Sequence, residues 1–380
     1  MKLRELNIQK YRPIENQHLT FEDAFGRVQP VTVLAGPNGC GKTSILFAIG
    51  QVLRDIMRYR TEDVPEPTEL DIFRRNNGEF LSKTPPQILV QLKIEFAPEE
   101  RKAIRQVFEE TRPIRLEESE QGLEEFPEGV VTVEWKYPPY WKPPGVRKPH
   151  WYLDKVIPRQ ALQWFKGRFY AIEGFKRAML KTPSLLDDIG GPLLFPQDRS
   201  LKQRVAGLPR DKSEPQMEMS VWEILKELGQ RATSPELPDS ATNASLRTQA
   251  EKGEKRIKDL FHGICAPKEY LGFGYTANDP LGSPYFQEGH SRYPLALASS
   301  GEQVILEYIT RLTFPQVLNH GIILIDEPEM HLHPGWIRQL YQALPKMGVD
   351  NQFILTTHST DVRTLAAEDG VLIDLGDIQK

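Results

Sequence analysis

Val31-Thr32-Val33-Leu34-Ala35-Gly36-Pro37-Asn38-Gly39-Cys40-Gly41-Lys42-Thr43 is the stretch that decides the fold. Its first five residues are an apolar run rich in β-branched side chains, the pattern of a buried strand. From Lys42 onward the apolar positions turn helical, with Ile45, Leu46, Ile49, Val52, Leu53 and Ile56 on one face. Between strand and helix, Gly36 to Thr43 follows the spacing GxxxxGK[ST], and that context gives the pattern its meaning. Glycines leave backbone N–H groups free to meet phosphate oxygens, and the helix N-terminus adds partial positive charge. The pattern predicts that Gly36, Pro37, Asn38, Gly39, Cys40, Gly41, Lys42, Thr43 and Ser44 hold a nucleotide. Lys42 is expected at its β- and γ-phosphates and the Thr43 hydroxyl on Mg2+.

A second run, Ile322-Ile323-Leu324-Ile325-Asp326-Glu327-Pro328-Glu329, is an apolar strand ending in carboxylates. Open parallel sheets bind ligands at that end of their strands. Asp326 is therefore the expected metal partner and Glu327 the base for an attacking water. Glu329 is read as a cap for the following helix. His331 and His333 are not read as a metal pair, since no third ligand of suitable spacing accompanies them. Ser299, Ser300, Gly301 and Glu302 open another predicted helix and offer a hydroxyl, N–H groups and a helix dipole. Taken alone, that segment is an ordinary cap, with Ser300 capping and Gln303 closing a capping box.

In combination, the motifs resemble those of ABC-type ATPases. Ala298-Ser299-Ser300-Gly301-Glu302 is similar to the signature motif, and Phe353-Ile354-Leu355-Thr356-Thr357-His358-Ser359 to the switch-histidine strand. Asp326-Glu327-Pro328-Glu329-Met330-His331-Leu332-His333-Pro334 resembles the matching segment of the OLD and RecF-like branch, including phage-defence ATPases. The resemblance implies an α/β fold: an ABC-type P-loop head with a mixed sheet, split by a helical or irregular insertion. It implies ATP and Mg2+ as ligands and a catalytic set of Lys42, Glu327 and His358, with His358 near the γ-phosphate. It further implies a head-to-tail homodimer or higher homo-oligomer, in which Ser299 to Glu302 complete the ATP site of a second copy. Gln197 is the candidate for the magnesium-sensing glutamine, since Gln91 lies within a predicted strand. Arg12, in the turn between the first two strands, is read as a solvent-facing turn residue, with a phosphate contact as the alternative.

The flanking sequence sets the organisation. Residues 1–98 and 262–380 carry the alternation of strands and helices, and 99–261 reads as an insertion. Within it, Lys136 to Lys181 holds 11 Lys or Arg against 2 Asp or Glu, interleaved with Trp135, Tyr140, Trp141, Trp151, Tyr152 and Trp164. That composition suits nucleic acid, a protein partner or plain core, and the three stay open. A net charge of -4, with 39% hydrophobic and 26% charged residues, fits a globular protein without a chain-wide nucleic-acid signature. No apolar run reaches the roughly 18 residues of a membrane span, so a cytoplasmic place is expected. Cys40 and Cys265 support neither a disulfide framework nor a zinc site. Only 22 residues follow His358, too few for a nuclease domain of the OLD type, so a separate effector such as a nuclease is expected. The functional expectation is a sensor, clamp or switch in anti-phage defence. The alternatives are a DNA-maintenance ATPase acting on ends or gaps and, less favoured, a transporter motor.

Overall fold

Twelve strands and eight helices organise the described residues, which are 1–58, 88–111, 130–137, 162–168, 170–171, 183–186, 188–196, 221–233, 241–276, 279–313 and 319–376 of a computed structural model. The strands are β1 (Lys2–Tyr11), β2 (Ile14–Thr20), β3 (Val31–Ala35), β4 (Ile88–Glu95), β5 (Val130–Tyr137), β6 (Pro192–Phe195), β7 (Glu269–Thr276), β8 (Asp279–Glu288), β9 (Ser291–Pro294), β10 (Ile322–Ile325), β11 (Gln352–Thr356) and β12 (Leu372–Asp374). The helices are α1 (Lys42–Arg58), α2 (Pro98–Glu110), α3 (Leu162–Phe165), α4 (Val221–Thr233), α5 (Ala241–Cys265), α6 (Ser300–Thr313), α7 (Pro334–Ala343) and α8 (Thr360–Glu368).

The strands divide by pattern. β1 and β4 alternate buried and half-buried residues, and they pair antiparallel in the order β2-β1-β4-β5. β3, β10 and β11 are buried at every position, as parallel strands covered on both faces must be, and they form the sheet β12-β3-β11-β10-β6. The expectation of one mixed sheet resolves into these two layers plus a small antiparallel sheet, β7-β8-β9. Successive side chains of the parallel strands point to opposite faces. Ile322, Leu324 and Ile354 join α1 and the antiparallel sheet in one core, while Ile323, Ile325, Phe353 and Leu355 join residues of α4 to α8 in a second. Gln352 ties the two sheets: its carboxamide accepts from the Leu3 N–H at 2.7 Å and donates to the Leu3 carbonyl at 2.8 Å.

Elements of the stretch read as an insertion, 99–261, enter these sheets and cores. β5 is the outer strand beside β4, β6 runs parallel to β10, and α4 and α5 supply the second core. β6 is four residues long and opens with proline, which an edge strand tolerates, so its sequence lacked the alternation that marks a strand. Of the six interleaved aromatics, Trp135 and Trp164 are core, the latter under the Arg105 guanidinium at 5.6 Å. Tyr140, Trp141, Trp151 and Tyr152 lie outside the described residues.

Candidate nucleotide site

The phosphate loop leaves β3 at Gly36 and enters α1 at Lys42. Pro37, Asn38 and Gly39 are exposed, while Cys40, Gly41, Lys42 and Ser44 are buried. Two glycines are needed for distinct reasons. Gly41 has φ +98°, and a Cβ there would sit 2.8 Å from Ile14 Cγ1, so the β1–β2 turn packs directly on the loop. At Gly36 a Cβ would meet Cys40 Sγ at 2.9 Å, which makes Cys40 a loop-packing residue. Lys42 Nζ donates to the carbonyls of Gly36 at 2.9 Å and Pro37 at 3.0 Å. Arg12, in the covering turn, is half-buried, and its guanidinium lies over the rings of Phe47 at 5.1 Å and Tyr11 at 5.5 Å.

Both carboxylates follow β10, and its neighbour β11 brings Thr356 and His358 beside them. Asp326 is buried, and its Oδ1 accepts from Thr43 Oγ1 at 3.0 Å and from Thr356 Oγ1 at 2.5 Å. Thr356 Oγ1 in turn accepts the Glu327 N–H at 3.1 Å. Glu327 has φ +49°, a conformation that costs a non-glycine residue about 1–2 kcal/mol. Such strain concentrates where side-chain placement matters to function. Its carboxylate lies 3.4 Å from His358 Nε2, with His358 39% exposed. Thus Thr43, Asp326, Thr356, Glu327 and His358 form one connected set at the C-terminal edge of the parallel sheet. Thr43 and Asp326 present hard oxygens side by side, the donor chemistry that suits Mg2+.

Two residues were misread or missed. Glu329 does not cap the next helix, whose cap is His333. Instead its Oε1 accepts from Thr357 Oγ1 at 2.7 Å, the His358 N–H at 2.7 Å and the Ser359 N–H at 3.0 Å. Thr356 was passed over, because a threonine at the end of an apolar strand carries no local signal. Gln91 lies within β4 as read and donates across strands to Glu134 at 2.9 Å, and Gln197 lies outside the described residues.

The signature segment is built differently. The helix cap is Ser299, one residue before the serine read as capping. Its Oγ accepts the Glu302 N–H at 3.3 Å, and Glu302 Oε2 accepts the Ser299 N–H at 2.6 Å. Glu302 is buried, and it also accepts from Tyr293 and, at 3.2 Å, from Lys268 Nζ. Burial opposes its charge, but the bonds from Ser299, Tyr293 and Lys268 prevail and hold its carboxyl below the usual glutamate range. A Cβ on Gly301 would meet the His331 carbonyl at 2.8 Å and the Trp336 ring at 3.2 Å. Ser299 and Ser300 are exposed, and Leu297 beside them is 73% exposed. The contacts described for Ser299, Gly301 and Glu302 reach Tyr293, Lys268, His331 and Trp336, not the phosphate loop.

Comparison with known proteins agrees with this architecture. Residues 1–153 match a family model described as "AAA ATPase domain", and residues 185–362 match one described as "AAA domain, putative AbiEii toxin, Type IV TA system". A 74-residue stretch, 17% of this chain, is 43% identical to the "Retron Ec83 probable ATPase" of Escherichia coli. A 54-residue stretch, 14% of this chain, is 43% identical to the "Retron Vc95 probable ATPase" of Vibrio cholerae. The chain matches 14% and 10% of the length of those relatives. Among solved structures, an Smc head bound to the C-winged helix domain of ScpA superposes with a TM-score of 0.52 at 13% identity. That superposition covers 95% of this chain and 90% of the other. The fold is that of an ABC-type head, and both halves of the chain match ATPase domains. Among the described residues no helix is long and apolar enough to cross a membrane.

Proposed function

We propose that this chain binds ATP on Gly36 to Ser44 and hydrolyses it, using the linked set of Thr43, Asp326, Glu327 and His358. The observation that carries the reading is the unbroken path of polar contacts from the phosphate-loop hydroxyl, through Asp326 and Thr356, to Glu327. Lys42 neutralises β- and γ-phosphate charge after exchanging its two loop carbonyls for phosphate oxygens. Glu327 orients a water and takes its proton as the water oxygen bonds to the γ-phosphorus. The bond from that phosphorus to the β–γ bridging oxygen breaks, giving ADP and phosphate. His358, beside Glu327, contacts the γ-phosphoryl group. Thr43 and Asp326 would hold Mg2+, which when bound offsets phosphate charge.

The signature completes the site from a second copy. Ser299 and Ser300 face outward from a helix start whose contacts lie away from this chain's own loop, which supports action in trans across a head-to-tail dimer. ATP then joins the two copies and hydrolysis releases them, so the protein is a switch or clamp for a separate effector such as a nuclease. Similarity to retron ATPases and to a toxin–antitoxin model supports a place in anti-phage defence.

The test replaces Glu327 by Gln and measures mass and turnover with ATP. Turnover is expected to fall about 1000-fold, the loss of a general base, while an ATP-bound dimer accumulates. A variant that stays monomeric and turns over at the parental rate overturns the reading.

A further inference from the structure

We infer that Glu329 is a positioning residue for hydrolysis: it sets His358 against Glu327 by gripping the turn that carries the histidine. The inference rests on the roles proposed above for Glu327 and His358. One carboxylate oxygen, Oε1, takes three donors from three consecutive residues, Thr357 Oγ1, the His358 N–H and the Ser359 N–H, at 2.7, 2.7 and 3.0 Å. Charge-assisted bonds of this kind are about twice as strong as neutral ones, so the grip is firm.

The grip has direction. Ser359 is the cap of α8, its Oγ accepting the Val362 N–H at 3.4 Å, so the same three residues end β11 and begin α8. Fixing both N–H groups around His358 leaves its ring the freedom of side-chain rotation alone. On the other side, Glu329 belongs to the tight turn that starts at Glu327. The Met330 N–H donates to the Glu327 carbonyl at 3.1 Å and the Leu332 N–H to the Glu329 carbonyl at 3.0 Å. The carboxylate thus clamps the base's turn to the histidine's turn, and the Glu327–His358 separation of 3.4 Å is held by it.

The second oxygen, Oε2, is buried and accepts no hydrogen bond among the described residues. An unmet buried acceptor costs about 1–3 kcal/mol, which a neutral side chain with one acceptor would lessen. The grip itself needs only the oxygen at Oε1, which a glutamine also presents.

The experiment is a cycle of Glu329→Ala, His358→Ala and the double variant, each assayed for ATP affinity, kcat and KM, with melting temperature as the check on folding. Glu329→Ala is expected to lower kcat about 30-fold with KM within about twofold, since small misplacement near the reacting groups carries losses up to about 100-fold. In the His358→Ala background it should cause no further loss. Losses that multiply in the double variant, or a change confined to KM, overturn the inference. Parental kcat in His358→Ala alone instead overturns the role given to the histidine. Glu329→Gln, which keeps an oxygen for the three donors, is expected to recover kcat to within about threefold of parental. Recovery no better than alanine counts against the grip. If Glu329→Ala does not fold, Glu329→Asp, which withdraws the carboxylate by one methylene, takes its place in the same cycle with the same outcomes.

Discussion

Two helix starts in this molecule offer N–H groups to an anion, and they are finished in opposite ways. At α1, left-handed glycines hold the loop open, its tip is exposed, and Lys42 rests on the Gly36 and Pro37 carbonyls that phosphate oxygens can replace. At α6, Ser299 and Glu302 satisfy each other, and Lys268 and Tyr293 secure Glu302 from behind. The first start is shaped for a ligand within its own chain. The second is complete as a cap and has only its outward hydroxyls to offer, which is what a surface acting on a second copy requires. In the function proposed here the first start holds ATP and the second completes that site from another copy.

The contrast is broken most severely at α1. Lys42→Ala should abolish turnover, with a loss of at least about 1000-fold, and weaken ATP binding by about 100-fold or more; equilibrium titration with a fluorescent ATP analogue checks the second value. Retained affinity would mean that the loop is a mere turn. Alanine at the two glycines sharpens the contrast. Gly41→Ala forces a Cβ onto Ile14 and a left-handed φ, so it should impair nucleotide binding to each chain. Gly301→Ala drives a Cβ into the His331 carbonyl, a backbone atom that cannot swing away. It should leave binding to a single chain intact while lowering turnover about 30-fold and disfavouring the ATP-bound dimer, as read by light scattering. Loss of nucleotide binding in Gly301→Ala would show both starts serving one site in cis.

How much of this could be read in the sequence follows the same divide. Gly36 to Thr43, the apolar strand before Asp326 and the amphipathic face of α1 are dictated locally, by glycine conformation, burial and helical spacing, and they sit where expected. Thr356 and Glu329 were illegible because their roles are made between strands: a hydroxyl bridging Asp326 to Glu327, and a carboxylate reaching a turn 28 residues away. Within the stretch read as an insertion, β6 was illegible for a related reason. β6 earns its place through pairing with β10, which a four-residue segment cannot announce. At Ser299 the cap register slipped by one because Ser-Ser-Gly-Glu-Gln satisfies the capping-box pattern in two frames, and Lys268 with Tyr293, distant in sequence, select Glu302.

The buried carboxylate at α6 gives a smaller, pH-dependent effect. Its folded pKa is depressed, so its contribution to stability is present above the unfolded glutamate value of about 4.3 and is lost as pH falls below that through the folded value. Glu302→Gln should cost about 2 kcal/mol near neutral pH, the worth of charged hydrogen bonds. It should also flatten the fall of denaturation midpoint with acidity below about pH 4.3 relative to the parent, in scans that compare the two. An unchanged acid limb would mean that Glu302 is not the group holding α6.

The smallest change separates the two duties assigned to Ser299. As a cap it is worth about 1 kcal/mol, so Ser299→Ala should lower the melting temperature by only a few degrees. As a hydroxyl facing the phosphate of a second copy, its loss should lower turnover about fivefold. Alanine alone cannot distinguish these, because a frayed α6 would also misplace Gly301. Ser299→Asp can: aspartate caps as well as serine, so stability returns, whereas its negative charge faces the phosphate and should leave turnover at or below that of alanine. If turnover returns along with stability, Ser299 serves only its own helix, and the α6 start would have no anion to bind.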